Sequence, residues 1–151
     1  MSGKTKIPWC DATWSPIRGC SRVSRGCEHC YAERMAARFC GATATYSMDG
    51  PGELSDPEIT RAPFHGYVAA TPQGPRWTGK VELIESQLEI PLHWRKPRRI
   101  FVNSMSDTFH ERVPDSAIDR IFAVMALCPQ HTFLVLTKRA ERMERWFPEV
   151  T

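Results

Sequence analysis

The sequence lacks any long apolar run. Its longest stretch without a polar side chain, residues 121–128, is far too short to cross a bilayer, and the amino-terminal residues contain no apolar core of a signal peptide. These two absences argue against a membrane-spanning or a secreted protein. We therefore expect a cytoplasmic protein that has no membrane among its partners.

A large excess of charge of one sign is also missing. The 20 Lys and Arg residues stand against 17 Asp and Glu residues, and the net charge of +3 gives no reason to expect a polyanion as partner of the whole chain. Any basic surface must be local. Four of the five residues 95–99 are basic, and this cluster either contacts nucleic acid or forms a solvated connection between a helix and a strand.

A disulfide framework is not expected, because cytosolic reductants keep thiols reduced. Closely spaced cysteines in such a chain indicate metal binding or catalysis instead. Cys20, Cys27 and Cys30 have the spacing Cys-x6-Cys-x2-Cys, without a fourth cysteine in the same group. Three thiolates on one loop suit a [4Fe–4S] cluster whose fourth iron stays open to a small-molecule ligand, and we take these cysteines as its ligands.

Two alternatives to the iron–sulfur interpretation stay open. A structural zinc site needs four protein ligands, and Cys10, Cys40 or His29 would have to complete it. The thiols could also be unrelated core residues, although their close spacing argues against that. Gly19 and Gly26 each precede a proposed ligand, where glycine would let the backbone approach the cluster.

The periodicity of apolar residues predicts alternating helices and strands. Helices are expected over residues 28–40, 86–94 (interrupted near Pro91) and 115–127 and from Ala140 onward, and strands over residues 80–84, 99–104 and 132–137. Five prolines and five glycines in residues 41–77 argue against regular structure there beyond a turn or two. Buried strands that alternate with helices indicate a single α/β domain with a parallel sheet covered on both faces.

Polar residues follow the last two predicted strands, at the edge where functional groups of parallel sheets gather. The first group is Asn103, Ser104, Ser106 and Asp107, and the second is Thr137, Lys138 and Arg139. The alternative role of the first group is capping and turn formation, and that of the second is exposed charge. His110 is a candidate proton donor or, alternatively, a packing residue.

The chain resembles the phage-associated three-cysteine-motif family in segments that span most of its length. These are W-S-P-I-R-G-C-S-R-V-S-R-G-C-E-H-C-Y-A-E-R-M, P-L-H-W-R-K-P-R-R-I-F-V-N-S-M-S-D-T-F-H and H-T-F-L-V-L-T-K-R. The resemblance implies a radical-SAM-like protein with a partial (β/α) barrel and a cluster on the loop after the first strand. Because 151 residues hold fewer βα units than such a barrel usually has, we expect a truncated one.

The same resemblance implies S-adenosylmethionine (SAM) as a cofactor, bound to the open iron. An electron donor would reduce the cluster, and cleavage of SAM would give a 5′-deoxyadenosyl radical. Tyr31 would pack near the adenine or, alternatively, within the helix. Asn103, Ser104, Ser106 and Asp107 would contact the ammonium and ribose of SAM, and Lys138 a carboxylate or phosphate.

Two functions therefore compete at this point. The first is a radical SAM enzyme whose substrate is unknown, with a nucleic acid or a modified base as a candidate. The second is a non-catalytic zinc or iron–sulfur module that binds nucleic acid or a partner protein. The type of metal centre and the response to SAM discriminate between them.

Overall fold

The computed structural model describes residues 3–40 and 62–147. The chain divides into two compact units. We call Met1–Ile17 together with Glu82–Thr151 the sheet unit, and Arg18–Val81 the cysteine unit. None of the helices in the described ranges has both the length and the apolar character needed to span a bilayer.

The described elements are short. The strands are β1 (Gly3–Lys4), β2 (Ala12–Trp14), β3 (Ile17–Arg18), β4 (Val68–Thr71), β5 (Gly74–Trp77), β6 (Glu82–Leu83), β7 (Arg99–Val102) and β8 (Thr132–Val135). The α-helices are α1 (Tyr31–Arg38), α2 (Glu85–Leu88), α3 (Asp115–Ala126) and α4 (Ala140–Trp146), and 3₁₀ turns cover Arg25–Cys27 and Ile90–His93.

The sheet unit is built on a four-stranded mixed sheet in the order β1-β2-β7-β8. β2, β7 and β8 are parallel, as predicted, whereas β1 joins β2 in the antiparallel direction. The crossover between β7 and β8 is α3, whose Ile118 and Ile121 are fully buried together with Ile100 and Val102 of β7. The apolar periodicity that predicted a βαβ unit thus forms the core of this unit.

The two predicted strands differ in burial. β7 is buried along most of its length, but in β8 Thr132 is exposed and the other side chains are only half-buried, and Leu136 after it is exposed. The expectation of a second fully buried strand was therefore wrong. β8 ends the strand order, and an edge strand has a sheet neighbour on one side only.

The break predicted near Pro91 is confirmed. α2 ends at Leu88, and the 3₁₀ turn Ile90–His93 follows with Pro91 in its first positions. Proline is tolerated at the start of a helical turn, since a backbone N–H at that position would have no partner within the helix. The polypeptide then turns toward β7 through residues 94–98.

The cysteine unit combines α1 with a β-hairpin. β4 and β5 pair antiparallel, with Val68 opposite Trp77 and Thr71 opposite Gly74. The expectation that residues 41–77 lack regular structure was therefore wrong for this hairpin, and residues 41–61 lie outside the described ranges. Gly74 adopts a φ of +102°, which a two-residue connection with glycine at its exit allows, and buried Val68 and Trp77 hold the strands together.

The class predicted from the sequence, α/β with helices flanking parallel strands, is confirmed in this coarse form. The described residues form no closed barrel. The prediction of a single domain stays a prediction beside the two compact units.

Candidate functional site

The three cysteines of the motif lie on one loop at the amino end of α1, as the sequence predicted. Cys27 closes the 3₁₀ turn Arg25–Cys27, its carbonyl accepts the Cys30 N–H at 3.3 Å, and Cys30 is the N-cap of α1. Cys27 is buried, whereas Cys20 and Cys30 are half-buried. Cys27 and Cys30 thus follow each other through two tight turns at the start of the helix.

The loop is held to α1 by an ion pair that sequence analysis missed. Glu33 on α1 is only 2% exposed. The Arg22 guanidinium donates to its carboxylate through Nε at 3.1 Å and through Nη2 at 2.6 Å. Arg22 Nη2 also donates to the Glu28 carbonyl oxygen at 3.0 Å. One arginine between Cys20 and Cys27 therefore ties the loop to the helix and to its own last turn.

Glu33 also joins the loop to the hairpin of the same unit. Its Oε1 accepts the backbone N–H of Trp77 at 3.1 Å. A buried carboxylate needs such donors, because burying an unpaired charge is costly. A signal for this residue was present in the sequence, since Glu33 stands beside Ala32 on a helix face otherwise formed by small or apolar residues.

The charge of Arg22 acts on the thiol loop. The hydrogen bond to Glu33 raises the pKa of Arg22 above its ordinary value, and the charges of Glu33, Cys30 and Cys27 act in the same direction. The guanidinium is therefore within electrostatic reach of both sulfurs. Negative charge that develops on this loop meets a fixed cation.

Gly19, which precedes Cys20, is required for a close backbone approach. Its φ is +90°, and a Cβ built there would lie 1.9 Å from the Lys80 carbonyl oxygen and 2.8 Å from Tyr67 Cδ1. The close approach seen here is toward Lys80, and the predicted approach of this glycine to a cluster stays a prediction. Gly26 lies inside the 3₁₀ turn Arg25–Cys27, outside the left-handed region.

The remaining cysteines bear on the zinc alternative. Cys40 lies beyond the end of α1 and donates through Sγ to the Ala37 carbonyl oxygen at 2.9 Å. The eight residues of α1, about 12 Å of helix, separate it from Cys30. That separation excludes Cys40 as a co-ligand of Cys30 while α1 is intact. Cys10 and Cys128 are buried in the sheet unit, and burial raises the pKa of both thiols. His29, exposed beside Cys30, stays a candidate fourth ligand.

All six cysteines are within the described ranges, and none of them is in a disulfide. In those ranges, no three His, Cys, Asp or Glu side chains are close enough together to hold a metal ion. Binding of a cluster by Cys20, Cys27 and Cys30 therefore requires their sulfurs to converge. Tyr31, the first residue of α1, is 54% exposed, and both its packing near adenine and its packing within the helix stay predictions.

The second group of predicted residues lies in the sheet unit. Asp107 is buried, and its carboxylate accepts from four donors: the Phe109 N–H at 2.9 Å, Thr137 Oγ1 at 2.7 Å, the Lys138 N–H at 3.1 Å and Arg139 Nη1 at 3.2 Å. The polar residues after β7 and β8 thus meet at one edge, as predicted. Four donors use the acceptor capacity of a carboxylate.

Asn103 shapes the same edge. It is the one non-glycine residue in the described ranges with a positive φ, at +54°. Its Oδ1 accepts the Ile17 N–H at 3.0 Å, and its Nδ2 donates to Thr108 Oγ1 at 2.7 Å. Ser106 donates through Oγ to the Ile17 carbonyl oxygen at 2.9 Å. Both side chains therefore tie the segment after β7 to Ile17, a long-range contact that neither the SAM role nor the turn-forming role anticipated. A contact with SAM stays a prediction.

Arg139 and His110 extend the network around Asp107. Arg139 donates through Nε to Glu111 Oε1 at 2.8 Å, and this hydrogen bond lowers the pKa of Glu111. His110 Nδ1 lies 3.6 Å from Glu111 Oε2, but it accepts the Arg112 N–H at 3.1 Å. Burial, assisted by Arg139, lowers the pKa of His110. We therefore assign a neutral imidazole, with no ion pair to Glu111.

The other predicted residues are less enclosed. Lys138 contributes its backbone N–H to Asp107 while its side chain is exposed, and Ser104 is half-buried. The candidate residues are divided between the units, with the thiols and Tyr31 in one and Asn103, Ser104, Ser106, Asp107 and Lys138 in the other.

A family model described as "Protein of unknown function (DUF5131)" matches residues 4–151. No curated protein and no solved structure matches the chain.

Proposed function

We propose that this chain, which belongs to the DUF5131 family, is a radical-SAM-like iron–sulfur protein that cleaves SAM. Cys20, Cys27 and Cys30 would hold a [4Fe–4S] cluster. The observation that carries the proposal is the anchored thiol loop, in which Arg22 pairs with the buried carboxylate of Glu33 and so ties the segment between Cys20 and Cys30 to α1.

The donor set fits such a cluster chemically. Thiolates are the usual ligands of iron–sulfur clusters, and the motif supplies three of them on one loop. The ligands do not themselves form the ion pair that holds the loop, so their convergence on a cluster would leave Arg22 and Glu33 in contact. Cys40 lies beyond the carboxyl end of α1, too far from Cys30 to close a four-thiolate site with it.

The chain's own residues would have distinct tasks. Arg22 would offset part of the negative charge of the thiolates, and Tyr31 would offer an exposed ring next to the last ligand for the adenine to pack against. When bound, the cluster supplies the electron that cleaves the sulfonium of SAM at the iron without a cysteine ligand.

In the sheet unit, Asn103, Ser106 and Asp107 would act through the backbone shape that their hydrogen bonds maintain. Direct contact of Asp107 with the SAM ammonium would require one of its four present donors to leave. In this set the Lys138 side chain is exposed, and Ser104 and Ser106 are half-buried. We further propose that β2, β7 and β8 belong to a partial (β/α) barrel, which their parallel order and the α3 crossover support.

Cluster content is the first test. Anaerobically reconstituted protein should contain about four irons and four sulfides per chain, since three thiolates can hold such a cube. Cys20→Ala, Cys27→Ala and Cys30→Ala should each abolish the cluster, and the matched control Cys128→Ala, a thiol buried in the sheet unit, should retain it. Stoichiometric zinc without sulfide would contradict the proposal and favour a zinc module, with His29 as the ligand to test next.

Reaction with SAM is the second test. Addition of SAM should change the electron paramagnetic resonance spectrum of the reduced cluster, and dithionite should then produce 5′-deoxyadenosine. A protein that holds the cluster but shows neither response would be a non-catalytic iron–sulfur module.

A further inference from the structure

The edge of the sheet opposite Asn103 and Asp107 gathers basic and aromatic side chains. β2, β7 and β8 are parallel and all start there. The Asp11 N–H donates to the Arg99 carbonyl oxygen at 2.8 Å, and the Thr132 N–H donates to the Arg98 carbonyl oxygen at 2.9 Å. Lys4 lies opposite Ala12, the first residue of β2. Residues 4–11 and 94–99 are thereby neighbours along this edge.

The charges on this edge are mostly uncompensated. Arg99 is paired with Asp11, its Nη2 lying 3.1 Å from Asp11 Oδ1. The side-chain hydrogen bond to Arg99 lowers the pKa of Asp11, and the charge of Arg98 lowers it further. The described part of the chain provides no ion-pair partner for the other basic side chains of the edge, which are Lys4, Lys6, Arg95, Lys96 and Arg98. We call these five residues together with Trp9 the basic edge.

Two indoles lie among these cations. Trp9 rests on Phe101, with 4.7 Å between ring centroids, and remains 44% exposed. Trp94 carries the Arg98 guanidinium 4.8 Å from its ring centroid and meets the ring of buried His131 edge-on. The face of an aromatic ring attracts a cation, and this attraction holds the Arg98 guanidinium against Trp94. Each indole therefore packs against a buried ring of the sheet unit, Trp9 against Phe101 and Trp94 against His131.

From this arrangement we infer that the basic edge binds single-stranded nucleic acid. Cations that follow a phosphate backbone, interleaved with exposed aromatic rings on which bases stack, are the features by which proteins hold single strands. A duplex would satisfy the cations, but its paired bases would leave the Trp9 ring without a stacking partner. This surface goes beyond the proposed iron–sulfur function and does not depend on it, because it contains none of the cysteines.

Fluorescence anisotropy of fluorescein-labelled single strands of about 20 nucleotides and mixed sequence, as DNA and as RNA, measures the binding. The salt concentration is varied from about 50 to about 200 mM, because affinity that depends on phosphate contacts falls over this range. Combined Arg95→Ala, Lys96→Ala and Arg98→Ala substitutions should raise the Kd at least about tenfold and reduce the slope of log Kd against log salt by about 2. Trp9→Ala should raise the Kd about tenfold, and Trp9→Phe should restore most of the affinity.

The matched control removes the same charge elsewhere. Arg34→Ala, Arg38→Ala and Arg145→Ala together change exposed helix positions and should leave the Kd within about twofold of the wild-type value. An equal loss in this control would overturn the inference, as would duplex binding as tight as single-strand binding. Binding to phosphatidylserine vesicles without binding to either oligonucleotide would also overturn it. The variant without Cys20, Cys27 and Cys30 should bind the strands normally, so failure of the cluster proposal and of this inference are distinguishable.

Discussion

Each of the two segments that carry the predicted site residues is held by an arginine–carboxylate pair. The pairs differ in whether one partner is itself a predicted site residue. In the sheet unit, Arg139 pairs with Asp107, itself a predicted ligand residue, and both are almost completely buried. In the cysteine unit, Arg22 pairs with Glu33, and neither belongs to the thiol motif. In the cysteine loop, the residues that hold the structure are thus different from the predicted metal ligands. At the sheet edge, a predicted functional residue itself forms the contacts that hold the structure.

This difference has a physical consequence for interpreting variants. A substitution of Asp107 removes structure first, because its carboxylate joins four donors from two loops. A substitution of a motif thiol should remove metal binding first, because Arg22 and Glu33 still hold the loop. Stability and cluster content, measured together, therefore discriminate between the two kinds of segment.

The largest effect on stability is expected for Asp107→Asn. It leaves Arg139 without its buried partner, and breaking a buried ion pair costs about 4 kcal/mol of unfolding free energy. Urea denaturation measures this loss, while iron per folded chain should stay at the wild-type value. The control Glu111→Gln alters the other partner of Arg139, whose side chain is 59% exposed, and should change stability by less than about 1 kcal/mol.

Gly19→Ala should have the next largest effect. A methyl group there meets the Lys80 carbonyl and takes an unfavourable φ, so strain and overpacking together predict a loss of about 3 kcal/mol. Iron per chain should fall as well, because the distorted residue precedes Cys20. Gly26→Ala, inside the 3₁₀ turn, serves as the control with a much smaller effect. Equal losses in both variants would show that the approach to Lys80 is not the cause.

Glu33→Gln tests the support of the thiol loop directly. The neutral amide keeps the shape but weakens the contact with Arg22 and presents N–H donors to existing donors, which predicts a loss of about 2 kcal/mol. Iron content should fall more than in Asp107→Asn despite the smaller loss of stability. Glu28→Gln, an exposed position whose backbone carbonyl alone contacts Arg22, should change neither quantity. The reverse order of iron contents would remove the contrast between the two segments.

The smallest effect is the dependence of stability on pH through His110. Its folded-state pKa is lowered, so the unfolded chain binds the proton more readily. Stability should therefore fall as the pH drops below the unfolded value of about 6.5. His110→Gln should flatten this part of the curve of the urea unfolding midpoint against pH. Asp107, Glu111, Arg112 and Arg139 are the charged side chains that act on the ring. A curve unchanged by the substitution would contradict the assignment of a neutral imidazole.

Much of the sheet unit could be predicted from local pattern. α3 and β7 have strong apolar periodicity, and Pro91 marks the end of one helical segment because its ring cannot continue the hydrogen bonding. The gathering of residues 103–107 with 137–139 also followed from parallel strand direction. The internal use of Asp107 did not, because which donors approach a carboxylate depends on loop conformation.

The cysteine unit was less predictable. The hairpin β4–β5 was missed since proline and glycine, which usually indicate irregular structure, here occupy the turn and an adjacent strand. Arg22 and Glu33 are eleven residues apart and share no periodic pattern, so their contact depends on tertiary folding. The apolar periodicity nevertheless placed the cysteines at the amino end of a helix, although α1 begins at Tyr31 and not at the predicted residue 28.

The hydrogen bond between the Ile17 N–H and Asn103 spans 86 residues. Closing a chain segment of that length costs about 4 kcal/mol of entropy, whereas β7, α3 and β8 are consecutive and close much shorter segments. We therefore expect β7–α3–β8 to form the folding nucleus and β2 to dock after the transition state. Asn103→Ala should accordingly accelerate unfolding and leave the refolding rate nearly unchanged in stopped-flow measurements. Asn103 then acts as a late latch that sets the lifetime of the native state.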